Sequence, residues 1–218
     1  MIKGFFSKPL ATQVGIAAAV SLVVHGATVL IEWYAVSPIG YGGVALLFLV
    51  PFAVFPLLLA LLAIPLSLFA LPFKRLRRPA LTLLVCCPIY VLPGLGAIRL
   101  ADAVRITAFH RLAVRSQPLI DAIHKFAEER GRPPKDLREL VPSYLPGIPR
   151  TGMAAYPEYE YVSGEGGSWD ENPWVLFVNT PSGGLNWDMF IYFPLQNYPR
   201  QGHGGSLERV GKWAYVHE

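Results

Sequence analysis

The sequence predicts an α+β membrane protein: three membrane-spanning helices, then a domain in which a long helix packs on a roughly four-stranded antiparallel sheet. Three observations lead there. Long apolar runs fill the first hundred residues, the Lys and Arg of that half sit at the ends of those runs, and the second half turns to short alternating segments split by Gly, Ser and Asn. The division falls near residue 98, giving a membrane domain over 1–98 and an extracytoplasmic domain over 99–218.

The first apolar run covers about 14–33, and twenty helical residues rise about 30 Å, the thickness of a hydrocarbon core. Glu32, Trp33 and Tyr34 close it as an interfacial belt would. It is longer than the apolar core of a signal peptide, and no A-x-A site follows. The second run, about 44–73, carries Pro51, Pro56 and Pro65, which predict kinks or tilt. The third covers about 79–98 and contains Pro88, Pro93, Gly94 and Gly96.

Charge gives the orientation. Only 16% of residues are charged, against about 25% in soluble domains. Residues 1–100 hold seven Lys or Arg and one acid, Glu32, whereas 101–218 hold twelve bases and fourteen acids. The net +4 is therefore a property of helix flanks, not of a basic surface, and it excludes nucleic acid as an expected partner. Lys3 and Lys8 precede the first run, and Lys74, Arg75, Arg77 and Arg78 fill the link between the second and third. The positive-inside rule places both in the cytoplasm, and three crossings carry the last domain out through a bacterial inner membrane. Arg99, Arg105, Arg111 and Arg115 follow the third run, where the rule disfavours them; a translocated domain tolerates such charge. Within the runs, His25 is the polar residue whose burial in lipid calls for an explanation: a functional group, or an imidazole hydrogen-bonded to a neighbouring helix. Cys86 and Cys87 read as small packing residues in a helix.

The soluble half begins with a helical pattern over 102–130. Leu119, Ile120, Ile123, Phe126 and Ala127 form one apolar stripe. Gly131 and Pro133-Pro134 end it, and Pro118 predicts a kinked continuation of the third span. A short helix is expected over 135–141. Strands are expected near Tyr159 and Tyr161 and over 174–179, 189–193 and 213–217, with links over 163–168, 182–186 and 202–206.

Part of this half resembles a known family. The stretch from Leu119-Ile-Asp-Ala-Ile-His-Lys-Phe126 through Gly131-Arg-Pro-Pro-Lys-Asp-Leu-Arg-Glu-Leu-Val141 to Pro142-Ser-Tyr-Leu-Pro-Gly-Ile-Pro149, then Tyr159-Glu-Tyr161, is similar to the periplasmic part of type IV pilin-like proteins, the major pseudopilins of type II secretion above all. The likeness covers about 101–218. The chain departs from the family at its start, where Gly4-Phe5 is followed by Pro9 at the place of the pilin Glu, and in having three spans. The resemblance implies a pilin-like fold and a non-enzymatic role in protein–protein interaction within the envelope, in a secretion or pilus-related assembly. The expected partners are the lipid bilayer and other envelope proteins.

Candidate sites are few. Glu165, Asp170, Glu171 and Asn172 supply hard oxygen ligands in a Gly-rich loop and could hold Ca²⁺; calcium is also what the pseudopilin resemblance implies for such a loop. Trp169, Trp187, Tyr192 and Trp213, with Trp174, could line a ligand or partner surface. A ligand-binding or calcium-sensing module is thus the alternative function. His110, His124, His203 and His217 form no catalytic spacing, and no catalytic residue is assigned.

Overall fold

The computed structural model describes residues 2–39, 50–164, 169–181 and 187–217. The chain forms two compact units. One joins Met1–Trp33 with Phe48–Ala103; the other joins Tyr34–Leu47 with Val104–Glu218. The units interleave along the chain, and the backbone at the end of the first apolar helix pairs with a distant loop. The amides of Ala154 and Ala155 donate to the carbonyl oxygens of Ser37 and Ala35, each at 2.9 Å.

The first unit is helical. A short α1 (Ile2–Phe6) precedes α2 (Leu10–Val36); α3 (Val50–Ala70) follows, then α4 (Arg77–Arg115), which continues into the second unit. Among the described residues, three helices are long and apolar enough to cross a membrane. The first six residues of the expected second span, 44–49, lie outside the described residues. Pro56, Pro65, Pro88 and Pro93 all stay inside helices. Each removes one backbone donor, a loss that apolar helices tolerate when neighbouring groups take up the freed carbonyls.

Close packing in this unit centres on Gly94 of α4. A methyl group there would lie 2.7 Å from Leu57 Cδ1 on α3, and 2.8 and 2.9 Å from the His25 ring on α2. Small residues let apolar helices approach at such points. Polar side chains add links between α2 and α4. Thr82 Oγ1 donates to Gln13 Oε1 at 3.0 Å, and Ser21 Oγ donates to the Tyr90 carbonyl at 3.4 Å.

In the second unit α4 gives way to α5 (Gln117–Arg130). Ser116 between them keeps helical dihedrals, and the backbone ladder runs through it, from Ser116 N to Leu112 O and from Ile120 N to Ser116 O. The Ser116 side chain turns back to the Ala113 carbonyl and does not cap α5. The junction is therefore a kinked continuation at Pro118. Leu119, Ile120, Ala122, Ile123 and Phe126 form the buried face of α5, and Gly131 ends it in a left-handed conformation. The short helix expected over 135–141 is a 3₁₀ turn, Leu137–Leu140, capped by Asp136.

The sheet has six strands among the described residues, not four: β1 (Glu160–Ser163), β2 (Trp174–Asn179), β3 (Met189–Tyr192), β4 (Gln201–Gly202), β5 (Gly205–Val210) and β6 (Trp213–His217). All neighbours are antiparallel, in the order β1-β2-β3-β6-β5-β4. The four expected strands are present. The additional pair is a hairpin built in the segment read as a link. His203 and Gly204 both have positive φ, 54° and 95°, the backbone that two-residue hairpin turns require.

Both faces of the sheet are buried. Trp174, Leu176, Val178, Phe190, Tyr192, Trp213 and Tyr215 share one face by register. On that face Phe109 of α4 stacks on Phe190 at 4.6 Å, and His124 of α5 meets Trp174 at 5.3 Å. Val175, Phe177, Ile191, Ala214 and Val216 form a second apolar cluster on the other face with Phe193, covered in part by Trp169, Tyr198 and Leu207.

The Gly94 contact can be tested against a control in the same helix. Gly94→Ala forces a methyl group below van der Waals distance of two side chains, so the full chain in detergent should lose about 1–3 kcal/mol of stability. Gly96→Ala meets no atom within 4 Å and should leave the thermal midpoint unchanged or raised.

Candidate functional site

A buried polar cluster in the second unit surrounds Arg105, near the C-terminal part of α4. Its side chain is buried, at 3% exposure. Nη1 donates to the Thr180 carbonyl at 2.7 Å and to the Tyr215 hydroxyl at 3.1 Å; Nη2 donates to the Tyr156 hydroxyl at 2.8 Å. Asp188 Oδ2 lies 3.8 Å from Nη1 and accepts from the Tyr215 hydroxyl at 2.6 Å. The planar guanidinium thus joins a helix, the end of β2, the start of β3, the middle of β6 and a loop. A buried charge costs several kcal/mol to desolvate and is tolerated only when paired and fully hydrogen-bonded. Here three Arg105 N–H groups are hydrogen-bonded and a carboxylate lies within ion-pair distance. This geometry leaves the cluster spent on holding elements together. Arg115, a second cation of the group past the third apolar run, donates from Nε to the Thr151 carbonyl at 2.9 Å.

Burial raises the Tyr215 hydroxyl above its usual range, and the nearby Arg105 charge opposes that shift. Tyr159, whose hydroxyl is buried with no hydrogen-bond partner among the described residues, is pushed up to about 12 by burial. Tyr161, Tyr192 and Tyr198 shift upward for the same reason.

The described part of the acidic loop, 169–172, is a hydrogen-bonded turn. Glu165 lies outside the described residues. Asp170 Oδ2 sits 2.7 Å from His203 Nε2, and the His203 ring stacks on Trp169 at 5.1 Å. Asn172 is buried; its amide nitrogen donates to the Trp169 carbonyl and to Asn197 Oδ1, and its oxygen accepts from the Leu195 amide. Asp170 and Glu171 take left-handed backbone, φ 49° and 64°. Asp170 and Asn172 are thus brought into one turn, yet the Asn172 oxygen is already engaged by backbone. Among the described residues, no three His, Cys, Asp or Glu side chains converge as metal ligands.

The aromatic residues do not make one surface. Trp213 and Tyr192 are buried on the helix side of the sheet, as is Trp174. Trp169 packs on Phe177, on the opposite side. Trp187 lies at the surface, with 76% of its area exposed. Sequence alternation groups residues by face, but it cannot say which face is covered when both are.

In the first unit, His25 Nε2 is 3.2 Å from the Tyr90 carbonyl oxygen, and the rings of the two residues lie 4.6 Å apart. A carbonyl only accepts, so the imidazole carries hydrogen on Nε2 and donates it. His25 therefore joins α2 to α4. Cys86 and Cys87 are buried free thiols of α4.

Sequence reasoning missed Arg105 and Asp188. The one available signal was an Arg at a place that the positive-inside rule disfavours. No family model matches the sequence, and neither a curated protein nor a solved structure is significantly similar to it.

Two outcomes follow from this geometry. Asp188→Ala leaves the Arg105 charge buried without its carboxylate and should cost about 3–5 kcal/mol, read from denaturant unfolding of the full chain. The double variant Arg105→Met with Asp188→Leu should recover part of that loss. Alkali should also unfold this unit. A phenol held neutral in the fold ionises first in the unfolded chain, at its ordinary value of 10.0, while Tyr159 in the fold resists until about 12. Its stabilisation is complete below the unfolded value and is lost as pH rises toward the folded one. The phenolate absorbance should then appear together with loss of structure; titration of these tyrosines with the fold intact would contradict it.

Proposed function

We propose that this chain is a non-enzymatic, membrane-anchored protein of the bacterial envelope whose α+β domain, on the non-cytoplasmic side, docks a protein partner. Three helices are long and apolar enough to anchor it, and the Lys and Arg placement favours a cytoplasmic N-terminus. The hydrogen bonds from Ala154 and Ala155 to Ser37 and Ala35 add support. They keep the residue run just after α2 on the same side as the domain, which requires an even number of crossings between them. Two crossings, by α3 and α4, satisfy that.

The observation that carries the partner reading is Trp187. Its indole is exposed, while the next residue is fixed at both backbone and side chain. Asp188 accepts from the Thr180 amide at 2.8 Å through its carbonyl and from Tyr215 through its carboxylate. An exposed Trp on a rigid base is the residue type that dominates binding energy when a partner covers it. The resemblance to the major pseudopilins suggests the kind of partner: another envelope protein of a secretion or pilus-related assembly.

A photo-reactive phenylalanine at position 187, activated in native membranes, should give a discrete protein adduct, and the same group at exposed Lys125 should not. A membrane-impermeant reagent added from outside should reach a Trp187→Cys variant. Adducts from neither position would count against a partner, and labelling only after the membrane is opened would reverse the topology.

A further inference from the structure

A second feature belongs to the first unit and is independent of any partner of the domain. Lys8 from the link before α2, Leu10 and Gln13 from the start of α2, Lys74 from the link after α3, and Arg77, Arg78, Leu81 and Thr82 from the start of α4 line a cavity of about 420 Å³. Four cations converge here. All four are exposed, and none forms an ion pair among the described residues. The only carboxylate among residues 1–100, Glu32, lies on α2 nineteen residues past Gln13, about 28 Å along the helix. Asp102, the other acid of this unit, lies on α4 twenty residues past Thr82, about 30 Å along the helix, so neither acid neutralises the group.

We infer that this cavity binds a phosphate-bearing anion, and that its natural occupant is the headgroup of an anionic phospholipid. Like charges gathered without counter-charge repel one another, so an anion that sits among them gains from all four. The first turn of α4 presents the positive end of a 39-residue helix to the same place. Gln13 and Thr82 give the site a fixed polar wall. Both are buried, at 2% and 4% exposure, and they are locked to each other by the Thr82 to Gln13 hydrogen bond at 3.0 Å. The Gln13 amide nitrogen donates one hydrogen to the Phe5 carbonyl, which leaves the second uncommitted. The cavity lies at the ends of helices apolar enough to cross a membrane, the depth at which lipid phosphates sit, and basic pockets between such helices hold lipid headgroups. Leu10 and Leu81 line it and are about half exposed, at 51% and 49%. They offer apolar contact for the acyl chains, which a free phosphate would not use.

The test uses the full chain in neutral detergent with phosphatidylglycerol and phosphatidylcholine carrying the same fluorophore. Phosphatidylglycerol should bind saturably and more tightly. Arg77→Gln with Arg78→Gln should weaken it by about five-fold for each cation removed, while Arg77→Lys with Arg78→Lys should retain most of the affinity. Arg99→Gln, outside the cavity, should bind as the wild type does. Displacement by unlabelled phosphatidylglycerol but not by inorganic phosphate supports the lipid source. Equal displacement by inorganic phosphate keeps the anion site and overturns the lipid as its occupant. Equal binding of the two lipids, or an undiminished affinity in the double Gln variant, overturns the site itself.

Discussion

The second unit depends on the burial of one positive charge. Arg105 cannot enter a sheet core without acceptors for the N–H groups it brings, and its acceptors come from parts of the chain far apart in sequence. The Thr180 carbonyl ends β2, Asp188 opens β3, Tyr215 sits within β6, and Tyr156 belongs to a loop. Each of those elements is placed by the need to satisfy the guanidinium. The apolar packing around it is consistent with that placement: Phe109, one helical turn on from Arg105, stacks on Phe190 and meets the Tyr215 ring at 4.8 Å. Hydrophobic burial supplies most of the stabilisation of such a unit, but it is tolerant of register. The charge is not, since a slip by one residue would turn Tyr215 to the other face of the sheet.

This requirement also explains a tension in the charge pattern. Arg105 and Arg115 lie past the third apolar run, where an exported flank usually carries few cations. Both are committed to carbonyl or hydroxyl oxygens of the second unit, so they read as parts of its interior wiring. The cations that border the α2 and α4 starts have no such commitments. The same residue types thus play two roles in one chain, and only the three-dimensional neighbours distinguish them.

Legibility in the sequence followed the range of the forces involved. The apolar helices were readable because twenty consecutive apolar residues state their environment directly. Strands β1, β2, β3 and β6 and the kink at Pro118 were readable from local alternation and from ring geometry. β4 and β5 were not, because Gly205–Val210 is a largely polar strand, held between β6 and the two-residue edge strand β4, whose burial is set by its neighbours, and the His203-Gly204 turn carries its signal in dihedral angles. The Arg105 cluster was illegible because its members are spread across 110 positions. The candidate calcium residues show a related gap: the sequence supplies the oxygen atoms, but it does not tell that Asn172 spends its own on the Leu195 amide. Trp187 and Trp213 looked alike as aromatic residues in β-rich segments, and only the fold separates an exposed indole from a buried one.

The position of β6 has a consequence for how the unit is assembled in time. This strand follows every other in the chain, yet it lies between β3 and β5 in the sheet. Until it arrives, the β4–β5 hairpin has no connection to the strands before it, and Arg105 lacks its Tyr215 acceptor. Contacts that close loops of this length form slowly. A nascent chain would therefore wait with its central aromatic side chains open to solvent, and folding would complete in one late step as β6 slots into the gap. Such a unit is a natural client for holding chaperones on whichever side of the membrane it emerges.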